Sequence, residues 1–128
     1  MATILAVLDA GPAARAVLEV ACGVGELMAA DVEAVHVHDG TAETPRRLAE
    51  RAGVPLRVLD GAVEDVLLRA IGEPDVVAAV LGARGLPGGR LPVGRTALAL
   101  LLRAGKPLVV VPPEPRDAGP RHLERLLV

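Results

Sequence analysis

The chain has 128 residues, 52% of them hydrophobic and 23% charged, with a formal net charge of −2. This length and composition predict a single folded domain and are not those of a disordered chain. Because there is no basic excess and no Phe, Tyr or Trp, the chain lacks the groups that bind phosphate backbones and stack on bases. Nucleic-acid binding is therefore excluded as a function class.

A single cysteine, Cys22, excludes an internal disulfide and any metal site built from several cysteines. No apolar run approaches the roughly 18 residues that a membrane span requires. The first residues carry no basic region, and Asp9 stands where a signal peptide would remain apolar. We therefore expect a cytoplasmic protein with no membrane association.

The first half of the chain alternates short apolar runs with segments of helical spacing. Thr3–Leu8 is almost continuously apolar, which is typical of a strand buried on both faces of a sheet. The helix that follows places these apolar residues at helical spacing: Ala14, Val17, Leu18, Ala21 and Met28. Val32–Val37 is the second predicted strand. In the second helix, Thr44 is the predicted N-cap, Pro45 the first helical residue and Gly53 the C-terminal stop.

The second half repeats the pattern. Leu56–Leu59 is the third predicted strand. The third helix ends at Gly72 and has an apolar face formed by Val63, Val66, Leu67, Ala70 and Ile71. Val76–Leu81 is the fourth strand, Thr96–Ala104 the fourth helix and Leu108–Val111 the fifth strand.

Five strands and four helices in strict alternation predict an open, doubly wound, Rossmann-like α/β fold with a five-stranded parallel sheet of order 3-2-1-4-5. The ligand crevice of such a sheet lies where the strand order reverses, at the carboxyl ends of strands one and four. Residues 1–112 form this domain. Residues 113–128 are predicted as a proline-rich linker, followed by a strand for a partner chain or the start of a truncated second repeat.

The stretch after the fourth strand, GARGLPGGRLPV from Gly82 to Val93, is rich in glycine and proline. Exposed backbone amides before a helix can hold an anion, and guanidinium groups match phosphate oxygens. Arg84, Arg90 and Arg95 lie in or beside the stretch, and Thr96 adds a hydroxyl. The alternative is a solvated surface loop without a ligand.

Other motifs in the sequence give weaker indications of function. Residues 89–96 have Walker A spacing, but Arg95 replaces the lysine and no partner for Mg²⁺ is evident. His36 and His38 alternate onto one predicted sheet face without a third ligand, so we expect no metal site and a partly buried histidine bonded to its neighbours. Asp9 either contacts a ligand at the crevice or caps the next helix. The chain shows no nucleophile paired with a base, which argues against an enzyme.

Several segments carry a family resemblance: ILAVLD, VEAVHVHD, Gly61, DVVAAVLGARG and GRTALALLLRAGKPLVVVP. Together they resemble the universal stress proteins over residues 3–112. Members that bind ATP have Gly, two residues, Gly, nine residues, and Gly followed by Ser or Thr. Gly82, Gly85 and Gly94 match these glycines, with eight residues in the last interval and Arg95 in the following position.

The resemblance implies that Asp9 and the backbone at Val37 flank adenine and ribose, while the glycine-rich residues hold phosphates. The expected nucleotide-binding residues are Asp9, Val37, Gly82, Arg84, Gly85, Gly94, Arg95 and Thr96. The implied ligand is ATP or a related adenine nucleotide, with or without Mg²⁺. The implied role is in the stress response, with no catalysis or only weak hydrolysis.

The alternative is a dimerisation or interaction module of the same fold that binds no nucleotide and forms half of a tandem protein. The fifth strand, Leu108–Val111, would be an apolar sheet edge, and such edges need a partner. A homodimer through this edge is therefore expected under either alternative.

Overall fold

The computed structural model describes residues 2–9, 13–38, 42–82 and 103–111. The strands are β1 (Thr3–Val7), β2 (Asp31–Val37), β3 (Leu56–Leu59), β4 (Val76–Gly82) and β5 (Leu108–Val111). The helices are α1 (Ala14–Met28), α2 (Glu43–Ala52) and α3 (Val63–Ile71). The predicted fourth helix, apart from its last two residues, and the tail at 113–128 lie outside the described residues.

The five strands form one parallel sheet in the order β3-β2-β1-β4-β5. The predicted α/β fold and strand order are confirmed. Because the chain winds from β1 toward β3 in its first half and from β4 toward β5 in its second, the strand order reverses between β1 and β4. The carboxyl ends of these two strands are the place where such folds bind ligands.

Helices cover both faces of the sheet. Alternate strand residues point to opposite faces, so each strand contributes to two apolar layers. On one face, α1 and α2 pack over β1 and its neighbours through a cluster that includes Ile4, Ala6 and Val80. On the other face, α3 packs over Leu5 and Val35. The central strand is thus buried on both faces, as its continuous apolar sequence predicted.

Helix α2 begins earlier than predicted. It starts at Glu43, with Ala42 at the N-cap position and no side-chain cap hydrogen bond, so the prediction of Thr44 as N-cap is wrong. Pro45 is tolerated at the third helical position because the first N–H groups of a helix have no intrahelical acceptor. Glu43 gains from the positive end of the helix and accepts a 2.6 Å hydrogen bond from Arg47.

The other helix boundaries follow the sequence signals more closely. Gly53 ends α2 with a φ of 69°, a left-handed conformation that glycine adopts without strain. Gly72 follows the last residue of α3, as predicted. Met28 and Val63 were predicted on apolar helix faces but are 49% and 45% exposed. Each stands at a helix terminus, where helical spacing continues after packing against the sheet has ended.

A charged cluster secures the connection between α3 and β4. Arg57 on β3 donates two hydrogen bonds to Glu73, at 2.9 and 3.0 Å, and its Nε lies 3.1 Å from Glu33 on β2. The hydrogen bonds to Glu73, together with both nearby carboxylates, raise the pKa of Arg57 against the opposing effect of burial. From the other side, Lys106 donates to the carbonyls of Ile71 and Glu73 at 2.7 and 2.6 Å. This connection is therefore tied to both halves of the sheet.

Candidate functional site

The carboxyl end of β1 lies beside the carboxyl end of β2. The paired register ends at Val7 and Val35. The next residue, Leu8, still donates its N–H to the Val35 carbonyl at 2.8 Å. Continuing this register by two residues places Asp9 opposite Val37, about 5 Å away across neighbouring strands. Two of the predicted site residues therefore lie side by side, Val37 at the end of β2 and Asp9 two residues beyond the end of β1.

The same edge continues across β4 and β5. Ala6 pairs with Val80, so the register places Leu8 opposite Gly82. Gly82 in turn pairs with Val111 at the end of β5. Asp9, Val37 and Gly82 thus lie along one edge of the sheet, at the carboxyl ends of the neighbouring strands β1, β2 and β4, although the sequence separates them by tens of residues. These three are the predicted site residues that fall within the described part of the chain.

Asp9 is exposed. The sequence is compatible with either a ligand role or a helix-capping role for this residue. Helix α1 has Ala13 at its N-cap position and no side-chain cap hydrogen bond, so Asp9 is not the N-cap of α1. The positive end of the α1 dipole nevertheless lies at this edge, because Ala13 packs beside Gly82.

The fold does not require a glycine at position 82. A Cβ built there lies 3.7 Å from the Ala13 Cβ and 3.8 Å from Val17 Cγ2, which are ordinary van der Waals contacts. Its φ is outside the left-handed region that favours glycine. The described neighbours would therefore accept an alanine here.

The structure identifies the hydrogen-bond partner of His36, which the sequence did not reveal. It is 1% exposed, and its Nδ1 lies 2.7 Å from the Leu8 carbonyl oxygen, to which it donates. The expectation of a histidine bonded to its neighbours describes this residue. His38, by contrast, lies beyond the end of β2 and is exposed. Within the described ranges, no group of three or more His, Cys, Asp or Glu is placed to hold a metal ion.

The remaining predicted site residues lie outside the described residues. They are Arg84, Gly85, Gly94, Arg95 and Thr96. Their expected part in holding phosphates stays a prediction, as does the structure of the stretch that contains them.

A separate cleft opens along α1 and α2. It has a volume of about 540 Å³, and its lining includes Leu18, Cys22 and Leu48 but none of the predicted site residues. Burial raises the pKa of the Cys22 thiol, and the carboxylates of Glu26 and Glu19 raise it further. Cys22 is partly buried and packs against the apolar cluster beneath α1. In the described part of the chain, no helix is both long and apolar enough to cross a membrane.

No protein-family model and no curated protein matches the chain. Solved structures do match. The universal stress protein UspA from Lactobacillus plantarum superposes with a TM-score of 0.67 at 19% identity, covering 85% of this chain and 96% of that one. The chain has the fold of the universal stress proteins.

Two further universal stress protein structures contain adenine nucleotides. A universal stress protein in complex with cAMP has a TM-score of 0.70 at 16% identity and covers 86% of this chain and 95% of its own. The universal stress protein from Archaeoglobus fulgidus in complex with dAMP has a TM-score of 0.60 at 19% identity, covering 86% and 96%. At these identities the likeness establishes the shared fold.

Proposed function

We propose that the chain is a universal stress protein that binds an adenine nucleotide at the carboxyl edge of the sheet, between β1 and β4. The observation that carries the proposal is the position of Asp9, Val37 and Gly82 along one edge of the sheet, at the carboxyl ends of β1, β2 and β4, which includes the point where the strand order reverses. The cAMP and dAMP complexes of proteins with this fold support the choice of ligand class.

Each of the three residues has a part that its position favours. The Asp9 carboxylate, exposed at the end of β1, accepts hydrogen bonds from ribose hydroxyls. The main chain at Val37 offers its polar groups to the adenine edge. Gly82 allows the nucleotide to approach the end of β4 closely, because no side chain stands there. The phosphates then fall to Arg84, Gly85, Gly94, Arg95 and Thr96.

We further propose that the physiological ligand is ATP, with or without Mg²⁺, and that it is bound without efficient hydrolysis. Binding rather than turnover would then carry the signal in a cytoplasmic stress response. A ligand that binds one conformation of the protein better than another shifts the population toward it.

Equilibrium dialysis of ATP, AMP and cAMP against the purified chain tests the proposal. Asp9→Ala is expected to weaken binding by roughly 10- to 100-fold, because a charge-assisted hydrogen bond contributes on the order of 1.5–3 kcal/mol. Asp60→Ala is the matched control, since Asp60 is also an exposed aspartate that follows a strand, here β3. No binding of any of the three at millimolar concentration would end the proposal.

A homodimer through β5 is the second candidate, and the free edge of the sheet favours it. β5 is the last strand of the sheet within the described residues, and Leu108, Val109 and Val110 are only partly buried. Because Ala79 donates its N–H to the Pro107 carbonyl, residues 107 and 109 face β4 while 108 and 110 point their main-chain groups outward.

This geometry supplies a selective variant. Val110→Pro removes an outward-facing N–H and leaves the bonds to β4 intact, so it should yield a folded monomer. Val109→Pro is the matched control, because it breaks the pairing with β4 and should destabilise the fold itself. Light scattering after size exclusion measures the mass, and a monomeric wild-type chain would count against this candidate.

A further inference from the structure

The ring of His36 holds the main chain of β1 at the point where it leaves the sheet. His36 Nδ1 lies 2.7 Å from the Leu8 carbonyl oxygen. Because a carbonyl oxygen only accepts, the ring must donate, which identifies Nδ1 as a protonated nitrogen. The N–H of Leu8 is bonded as well, to the Val35 carbonyl. Both polar main-chain groups of Leu8 are thus held by β2.

This hydrogen bond orients the peptide that leads into Asp9. The described chain contains no cis peptide bond, and in a planar trans peptide the N–H points opposite to the C=O. Since the Leu8 carbonyl is bonded to the His36 ring, the Asp9 N–H is directed away from that ring. The direction in which the chain presents Asp9 therefore depends on a side chain of β2.

Both partners of the bond are buried, Leu8 and His36 at 1% exposure each. A buried carbonyl that loses its hydrogen-bond donor still carries its desolvation penalty, which is no longer offset by a hydrogen bond. The Leu8–Asp9 peptide would therefore turn toward another donor or accept a hydrogen bond from a water molecule. Either response moves Asp9. His36 itself lies on the face of β2 that α1 and α2 cover, because it alternates with Ala34 of that apolar layer.

We propose that His36 is a positioning residue of the nucleotide site, whose Nδ1–H fixes the Leu8–Asp9 peptide so that Asp9 can contact the ligand. This inference rests on the proposed function. It assigns the histidine no contact with the nucleotide and no part in chemistry. It makes a buried side chain of β2 a determinant of ligand affinity.

Two substitutions separate positioning from packing. His36→Asn keeps an N–H donor on the atom that corresponds to Nδ1, whereas His36→Leu keeps the volume and removes the donor. Affinity for AMP, measured by isothermal titration, is expected to fall by about tenfold in His36→Leu and by less than about threefold in His36→Asn. Ile71→Val, which trims the core on the α3 face, is the control for a general loss of stability.

The results divide cleanly. Rescue of affinity by asparagine, at whatever melting temperature the two variants show, supports the proposal. Equal affinity of both variants and the wild type overturns it, and so does a loss in both variants that merely follows their melting temperatures.

A second measurement does not need the nucleotide. In ¹⁵N spectra of the free protein, His36 should show a protonated Nδ1, and the Leu8 amide, which donates to the Val35 carbonyl, should exchange faster in His36→Leu than in the wild type. If the wild type binds no nucleotide but these signals hold, the proposed function fails and the anchoring of Asp9 stands. If the wild type binds nucleotide but Nδ1 carries no proton, the positioning role fails and the function stands.

Discussion

Gly82→Ala should make the protein more stable and its nucleotide affinity weaker. A glycine inside a strand costs roughly 0.5–1 kcal/mol relative to alanine, because the unfolded chain has more freedom to lose. The new methyl group would meet Ala13 and Val17 at 3.7 and 3.8 Å, in ordinary contact and without a clash. We therefore expect about 0.5–1 kcal/mol of added stability, which corresponds to a rise in melting temperature of about 3 °C.

Under the proposed function, the same methyl group also narrows the space beside the start of α1, where the ligand would approach the end of β4. Thermal unfolding and isothermal titration with AMP on one preparation measure both effects, and affinity should fall by about tenfold or more. Gly23→Ala on α1, away from this edge, is the control for affinity. A stabilised variant with unchanged affinity would show that the nucleotide does not approach Gly82. A loss of more than about 1 kcal/mol of stability would refute the steric argument.

Three further predictions concern other parts of the molecule. Gly23→Ala should raise the free energy of unfolding by about 0.5–1 kcal/mol in urea titrations, since nothing lies within 4 Å of a Cβ built there. Gly53→Ala should lower the free energy of unfolding by about 1–2 kcal/mol, because the φ of Gly53 is 69°. Effects of the same sign in the two variants would contradict this prediction. Lys106→Met should lower the free energy of unfolding by about 1–3 kcal/mol, because the Lys106 ammonium donates hydrogen bonds to two carbonyls at the end of α3. An unchanged urea midpoint would show that these hydrogen bonds contribute little to stability. Because the pKa of its thiol is raised, Cys22 should react with a disulfide reagent more slowly at pH 8 than a free cysteine. Glu26→Gln should speed the reaction by lowering that pKa. Equal rates in the wild type and in Glu26→Gln would exclude the Glu26 carboxylate as a cause of the raised pKa.

The fold could be predicted because local signals and global topology agree. The continuous apolar run at β1 indicated a strand covered on both faces, and β5 has the predicted bounds, Leu108–Val111. Once strands and helices alternate, short right-handed crossovers leave few possible orders. The start of α2 was missed because Pro45 is compatible with several positions in the first turn, and Ala42 carries no capping signal.

The site could be predicted only in part. Asp9 and Gly82 could be singled out because each stands at the end of an apolar run that leads to the reversal of strand order. The bond from His36 to Leu8 and the pairing of Arg57 with Glu73 were out of reach, because they join side chains 28 and 16 residues from their partners. Periodicity specifies which face a side chain occupies, whereas such bonds depend on the register between strands.

An NMR titration of the ¹⁵N-labelled chain with AMP tests the central claim most directly. The account predicts that the amides of Asp9, Val37 and Gly82 shift together and saturate at one ligand per chain, while Asp31 and Asp75 at the opposite edge stay unmoved. Shifts confined to the α1–α2 cleft around Cys22, or no shifts at millimolar AMP, would contradict it.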